Sequence, residues 1–297
     1  MSIKCEICEG HYHQIYEGAI RDGAYGGIKA SSVIYECSDC KIQRLREEDC
    51  IPENYYQTGE YRQYMKQSLE SKKAMKEQED LVDYTFQVLA PHLLKDSNIL
   101  DIGCGAGALL NRLKNITINQ IGIEPCLPYY ESLTRDGFKI YKSLQEAIKD
   151  QVPVADFGFS IAVIEHVKNP VEFLKQIKKL INPDGGKLVI STPNRNDILM
   201  NILKEKFSSF FYRTQHRWYF DEYSLNKCIR LAGFKVNRLR YIHKYGLSNT
   251  LFWLRDGKPN GRLAMKGIND IHDKKWKALL EESKQSDYIY MELEIES

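Results

Sequence analysis

The sequence has no charge excess, no membrane-length apolar run, no internal repeat and no low-complexity tract. Among 297 residues, 42 Lys and Arg stand against 40 Asp and Glu, a net charge of +2. That balance removes any whole-molecule attraction to nucleic acid or membrane and leaves only local patches. No apolar stretch approaches the roughly 18 residues of a membrane-spanning helix, so no membrane partner is expected. The opening residues, Met1 to Cys8, lack the apolar core of a secretory signal, which predicts a cytoplasmic protein. Thiols stay reduced there, so the eight cysteines do not read as four disulfides. What is present, 43% hydrophobic and 28% charged residues, is the composition of a globular chain of one large or two modest domains.

Four cysteines form two pairs, Cys5-x2-Cys8 and Cys37-x2-Cys40, separated by 28 residues. Each pair is a tight turn that aims two thiolates at one point, and two such turns make a tetrahedral site suited to zinc. The gap exceeds the usual spacing of about 15–20 residues. It is rich in turn formers, Gly10, Gly18, Asp22-Gly23 and Gly26-Gly27, with the strand-like Val33-Ile34-Tyr35 among them. The expectation is a zinc ribbon with an enlarged loop over residues 1–48, its metal structural. Cys50, Cys104, Cys126 and Cys228 have no paired spacing and read as small buried hydrophobes.

A Tyr-rich bridge and a helical segment occupy 49–94, the helix expected from about Glu60 to Leu94 with Leu81, Tyr84, Thr85, Val88 and Leu89 as its apolar positions. From 95 to 297 short apolar strands alternate with helices, an α/β pattern with a mainly parallel sheet. Strands at Lys235–Ile242 and Tyr288–Ile295 are split by an aromatic-rich insert, about 245–286. Such an insert can cap an acceptor site, form a homodimer contact or build a local satellite core.

The most informative stretch is Ile99-Leu100-Asp101-Ile102-Gly103-Cys104-Gly105-Ala106-Gly107. A buried strand runs into three alternate glycines and then a helix, whose N-terminus offers free N–H groups. Glu124 closes the next strand, where a carboxylate can accept from both hydroxyls of a ribose. The spacing departs from the G-x-G-x-x-G of a dinucleotide loop. Asp101, two residues before the first glycine, would repel a pyrophosphate and suit an ammonium. A ligand with an amino-acid end and an adenosine end satisfies both carboxylates, and S-adenosylmethionine is such a ligand.

These residues resemble the class I S-adenosylmethionine-dependent methyltransferases over about 98–243. Further markers are Val163-Ile164-Glu165-His166-Val167, Asn182-Pro183-Asp184-Gly185-Gly186 and Leu188-Val189-Ile190-Ser191-Thr192-Pro193-Asn194-Arg195. The resemblance implies a Rossmann-like sheet. It also implies that Asp101 and the backbone of Gly103, Cys104 and Gly105 hold the methionine end of the cofactor. Glu124 would hold the ribose, Pro125 and Cys126 would lie beside the adenine, and Ser143 and Leu144 would edge it. Ala162 and Val163 would floor the methionine side, and a bridge tyrosine such as Tyr61 would cover the cofactor carboxylate.

Methyl transfer to a hydroxyl needs alignment, exclusion of water and a base. His166, after the fourth strand, and His216, in Phe211–Phe220, are the candidate catalytic residues. His216 reads as lying on an exposed loop with Arg213 and Arg217. Pro193-Asn194-Arg195 followed by His216-x-Trp218 is similar to the ubiquinone-type O-methyltransferases and to sugar methyltransferases. The ubiquinone-type enzymes pair Glu-x-x-Glu-His with a divalent cation, and Ala162 at the first position argues against a catalytic metal. The resemblance implies a small-molecule acceptor, a sugar or anionic sugar-linked group of polysaccharide or natural-product biosynthesis. C-methylation of a nucleotide-linked keto sugar is the close alternative, although further N-terminal motifs usual in those enzymes are missing. RNA methylation is disfavoured, because residues 1–48 carry six basic against eight acidic side chains. Residues 227–244 hold six basic side chains and no acid, a solvated face from which a few could meet an anion.

Overall fold

The computed structural model describes residues 4–52 and 54–296. A hairpin, β1 (Tyr12–Arg21) and β2 (Ile28–Cys37), leads to β3 (Gln43–Leu45), then α1 (Asn54–Thr58), α2 (Glu60–Tyr64) and the long α3 (Ser71–Val88). Strand and helix then alternate: β4 (Asn98–Ile102), α4 (Ala108–Leu113), β5 (Asn119–Ile123), α5 (Leu127–Arg135), β6 (Lys139–Tyr141), α6 (Leu144–Lys149), β7 (Phe157–Ile161), α7 (Pro170–Lys178) and β8 (Lys187–Pro193). After β8 come α8 (Ile198–Leu203), α9 (Glu205–Phe211) and β9 (Trp218–Tyr219). The chain continues through α10 (Glu222–Leu231), β10 (Phe234–Ile242), α11 (Leu247–Asp256), α12 (Asp270–Glu282) and β11 (Tyr288–Ile295).

The large sheet has the order β10-β11-β8-β7-β4-β5-β6. Strands β4 to β8 are parallel, and β11 inserts antiparallel between β8 and β10. Its central strands are apolar on both faces because helices cover both, as parallel sheets require. Local chemistry sets the helix starts. Asn169 caps α7 by accepting from the Val171 and Glu172 N–H groups, with Pro170 at the first helical position. Asp221 and Ser224 form a reciprocal capping box at α10. In α7, Val171, Leu174 and Ile177 fall on one buried face.

The second sheet, β1-β2-β3-β9, joins the cysteine-bearing hairpin to the connection after β8. Gln43 pairs with Tyr219 and Arg44 with Trp218, so the hairpin docks through main-chain hydrogen bonds. One core runs through both regions: Cys5, Tyr12, Cys37 and Ile42 pack in the same cluster as Trp218, Phe220 and Leu225.

One expectation needs correction. The helix expected over about 60–94 is broken: α2 ends at Tyr64, Lys66 takes a left-handed φ of 55° and α3 starts at Ser71. Tertiary contacts override periodicity here, since Tyr129 Oη donates to Ser68 O at 2.5 Å and Leu69 packs with Ala106 and Cys126. No helix among the described residues is long and apolar enough to cross a membrane. The insert does separate β10 from β11, but Trp253 points inward, with rings of Phe207 and Phe210 at 5.0 and 4.9 Å.

Candidate active site

The strand order reverses at β4, with β5 and β6 on one side and β7 and β8 on the other. In open α/β sheets ligands bind outside the carboxyl ends of the strands at that reversal. Three predicted segments converge there. The glycine loop leaves β4, Glu124 follows β5, and Ala162 to His166 follow β7. Gly103 and Gly105 hold φ of 73° and 57°. A Cβ on Gly103 would come 2.5 Å from Val163 Cγ2, and one on Gly105 2.6 Å from Gln78 Nε2. Glycine is therefore required by backbone angle at both positions and by space at Gly103. Gln78 of α3, which carried no sequence signal, closes the loop from above by accepting from the Ala106 N–H at 3.0 Å.

Glu124 is 2% exposed and accepts from the Gly105 and Cys126 N–H groups at 2.7 and 2.8 Å. Burial raises its pKa, against the pull of Arg62 and those two N–H groups. One bond to each oxygen leaves lone pairs for further hydroxyl donors. Asp101 is 5% exposed, and burial, then the Glu124 charge, push its pKa up to about 7. Its carboxylate meets no cation among the described residues. A buried, uncompensated carboxylate at the mouth of a glycine loop fits an ammonium, and Glu124 fits a diol. The residues thus suit S-adenosylmethionine.

Other predicted contacts fall close by. Val163 lies directly against Gly103, and Ala162 takes a left-handed φ of 56°, a conformation that costs a non-glycine residue about 1–2 kcal/mol. Pro125 is half-buried, Cys126 is buried against Ala74 and Tyr129, and the Ser143 hydroxyl caps α6 while Leu144 packs in the main core. Cys104 and Cys126 have raised pKa values through burial and are held as neutral thiols. Tyr61 stands on the other side, its ring 4.7 Å from Tyr56 and 6.1 Å from His166.

The histidines come together. The His166 and His216 rings are 4.9 Å apart and edge to face. His216 is 6% exposed, not on an exposed loop as its polar sequence suggested, because β9 pairing with β3 carries the segment inward. His166 Nδ1 lies 2.7 Å from Gln215 O, a bond only an N–H can make, so Nε2 carries the lone pair. Tyr56 Oη donates to the same carbonyl at 3.1 Å and fixes the ring. Burial lowers the pKa of His166 to about 4 and that of His216 well below its usual value, with Arg213 adding to both. Both imidazoles are neutral at pH 7. Glu165 is 1% exposed, with the Thr192 hydroxyl and the Arg213 and Lys244 charges as its stabilising neighbours, and His166 Nε2 lies 4.0 Å from Oε1. Donor atoms of Glu165, His166 and His216 all lie within 4.8 Å of one another, a set able to hold a divalent cation. Counting only the Glu-His dipeptide missed this third donor, supplied 50 residues later by the fold.

Burial pushes the Glu165 pKa up to about 7. The folded state keeps a proton that the unfolded chain loses near its usual value of about 4.3, so ionisation costs stability as pH rises between the two. Glu165→Gln is expected to be more stable than the parent at pH 8, by up to about 3 kcal/mol, with the gain gone at pH 4. Thermal denaturation at both pH values checks this.

The four paired cysteines also converge. Their Sγ atoms lie within 4.8 Å of one another, with Cys5–Cys40 at 3.7 Å and Cys8–Cys37 at 3.4 Å. Zn–S bonds of about 2.3 Å in a tetrahedron put sulfurs about 3.8 Å apart. The two turns are copies of one another. In each, the first cysteine N–H donates to the carbonyl five residues on, Gly10 at 2.7 Å and Ile42 at 3.0 Å. In each, the residue after the second cysteine, Glu9 or Lys41, is left-handed and donates back to the first. Such turns aim thiolates at a common centre, so the cluster fits a small zinc-binding module.

Fold and site together define a class I S-adenosylmethionine-dependent methyltransferase. The family described as Methyltransferase domain matches residues 74–239, more than half of the chain, and the chain belongs to that family. A tRNA U34 carboxymethyltransferase of Idiomarina loihiensis is 34% identical over 122 residues, 37% of this chain and 38% of that protein. A ubiquinone biosynthesis O-methyltransferase of Azorhizobium caulinodans is 27% identical over 157 residues, 49% of this chain and 62% of that protein. The chain thus spans between about a third and two thirds of the length of these curated relatives. Magnesium protoporphyrin IX methyltransferase from Synechocystis, solved with bound SAH, shares the fold with a TM-score of 0.51 and 12% identity, covering 82% of this chain and 97% of that one. A methyltransferase from Archaeoglobus fulgidus does so with a TM-score of 0.50 and 16% identity, covering 79% and 98%.

Proposed function

We propose that this methyltransferase acts on a small polar acceptor, transferring a methyl group to a hydroxyl of a sugar or an anionic sugar-linked group. The supporting observation is the cluster that Tyr56 of α1 and Tyr61 of α2 form with His166 and His216. Bound S-adenosylmethionine would supply an electrophilic methyl group. Asp101 would hold its ammonium and Glu124 its ribose hydroxyls. His166, oriented by Gln215 O and Tyr56, would receive the acceptor proton at Nε2, with His216 packed on its ring. The aromatic rings would exclude water from the transfer. Zinc on Cys5, Cys8, Cys37 and Cys40 would hold the hairpin in shape.

Turnover is measured as S-adenosylhomocysteine released over a panel of uronic acids, sugar phosphates and neutral sugars. Calorimetry with S-adenosylmethionine serves as the separate test of cofactor binding. His166→Ala is expected to lower turnover by about 10²–10⁴-fold, and His216→Ala, which removes the ring that positions it, to lower turnover by a smaller factor, while cofactor affinity stays at the parent value in both. Unchanged turnover in both variants would return the pair to a packing role.

A second reading, methylation of RNA, is favoured by the similarity to tRNA U34 carboxymethyltransferases. The acidic balance of residues 1–48 opposes it. A gel shift with bulk tRNA separates the two: tight, salt-sensitive binding would replace the sugar reading.

A further inference from the structure

Three arginines lie between β8 and β9, and the fold disposes of two. Arg195 is committed to Glu36 at 2.7 Å and Asp221 at 2.6 Å, and Arg217 pairs with Glu47. Arg213 has no carboxylate partner among the described residues; its Nε reaches only the Phe211 carbonyl, at 3.4 Å. The same holds for Arg21, at the end of β1, whose Nε is buried without a hydrogen bond among those residues. The two are bridge partners: Arg21 N donates to Tyr212 O at 3.0 Å and Thr214 N to Arg21 O at 3.1 Å. Bridge partners stand on the same face of a sheet, so the two cations emerge side by side.

Arg21 lies over the Phe210 ring, 4.3 Å from its centroid. Burial and the neighbouring Arg213 charge lower its pKa to about 9. Packing on Phe210 would be served equally by an apolar chain of that length. Two adjacent half-buried guanidiniums that form no ion pair among the described residues, with the buried Glu165 carboxylate as the acid whose charge Arg213 feels, are a standing electrostatic cost, one that an anion relieves. Guanidinium forks also match the planar oxygens of carboxylate and phosphate. The location is the acceptor side. His216 N donates to Arg213 O at 3.1 Å, and the Arg213 charge acts on both His166 and His216.

We propose that Arg21 and Arg213 form a two-guanidinium clamp for the carboxylate or phosphate of the acceptor, placing its hydroxyl toward the histidines. The hairpin that carries the cysteines then contributes a specificity residue as well as structure. This deepens the methyltransferase reading above and rests on it.

Calorimetry on the zinc-loaded full chain, saturated with S-adenosylhomocysteine, tests the clamp with D-glucuronate, D-glucose 1-phosphate and neutral D-glucose. At least one anion is expected to bind and glucose not to, and the anion that binds tells carboxylate from phosphate. Arg21→Met and Arg213→Met should each weaken that binding by about tenfold or more, as loss of a charge-assisted bond does. Arg21→Lys, which keeps the charge but not the fork, should fall between. Affinity for S-adenosylhomocysteine should stay at the parent value and melting temperature at or above it, which separates loss of the clamp from loss of fold. A parent protein that binds S-adenosylhomocysteine but prefers neither anion over glucose overturns the clamp and leaves the methyltransferase reading intact. Parent-like anion affinity in both Met variants also overturns it. A parent protein that does not bind S-adenosylhomocysteine overturns the reading on which it rests, and the clamp with it.

Discussion

Cys37→Ser is expected to release the metal and to lower the melting temperature by roughly 10 °C or more. Structural zinc contributes about 10–16 kcal/mol to the folding of isolated fingers. Losing even a few kcal/mol moves the midpoint of a domain this large by about 2–4 °C for each. Cys37 has no exposed surface, ends β2 and anchors the second cysteine turn through its own N–H and carbonyl. Damage should spread from there, because β3 pairs with β9 and the segment bearing His216 enters β9. Turnover is therefore expected to fall further than cofactor affinity. Metal analysis of the parent protein is the decisive control: a folded, zinc-free parent sinks the claim.

Asp101→Asn carries the second large effect. Truncating one partner of a buried charge pair costs about 2–5 kcal/mol, so affinity for S-adenosylmethionine should drop roughly thirtyfold or more. The pH dependence makes the test specific. With the Asp101 pKa near 7 in the free protein, binding an ammonium must first remove its proton below that pH. Parent affinity should then weaken as pH falls from 7, by at most about tenfold per unit. The variant should lose that slope. Its free form should meanwhile be more stable than the parent at pH 8, because the cost of ionising Asp101 is gone. Weaker binding with higher stability is a pairing that simple misfolding does not produce.

The features legible in the sequence are those whose chemistry is local. Three alternate glycines after an apolar strand, an acid two residues before them and a second acid at the next strand end describe a glycine loop flanked by two carboxylates within 25 residues, and the structure brings them together at one strand reversal. The Cys-x2-Cys pairs are equally local, since each turn forms from its own backbone. Illegible features come from distant pairing. The burial of His216 depends on Gln43 meeting Tyr219. No sequence pattern records that Glu165 ends buried beside both His166 and His216. Arg21 looked like one basic residue in an acidic ribbon until Arg213 was placed beside it. The break at Lys66 was hidden for the same reason, because Tyr129 and Leu69 decide it from outside the helix.

The pairing of β3 with β9 also bears on how the chain is assembled. The four cysteines are synthesised within 36 residues of one another, so metal can be captured early by a nascent hairpin. The strand that completes their sheet is made about 175 residues later, a delay of about 10–35 s at ordinary ribosomal speed. During that interval the β3 edge has no partner, and an open strand edge invites pairing with a second chain. Early metal capture would shorten the list of wrong partners by holding the hairpin in its final shape while its last strand is still being translated.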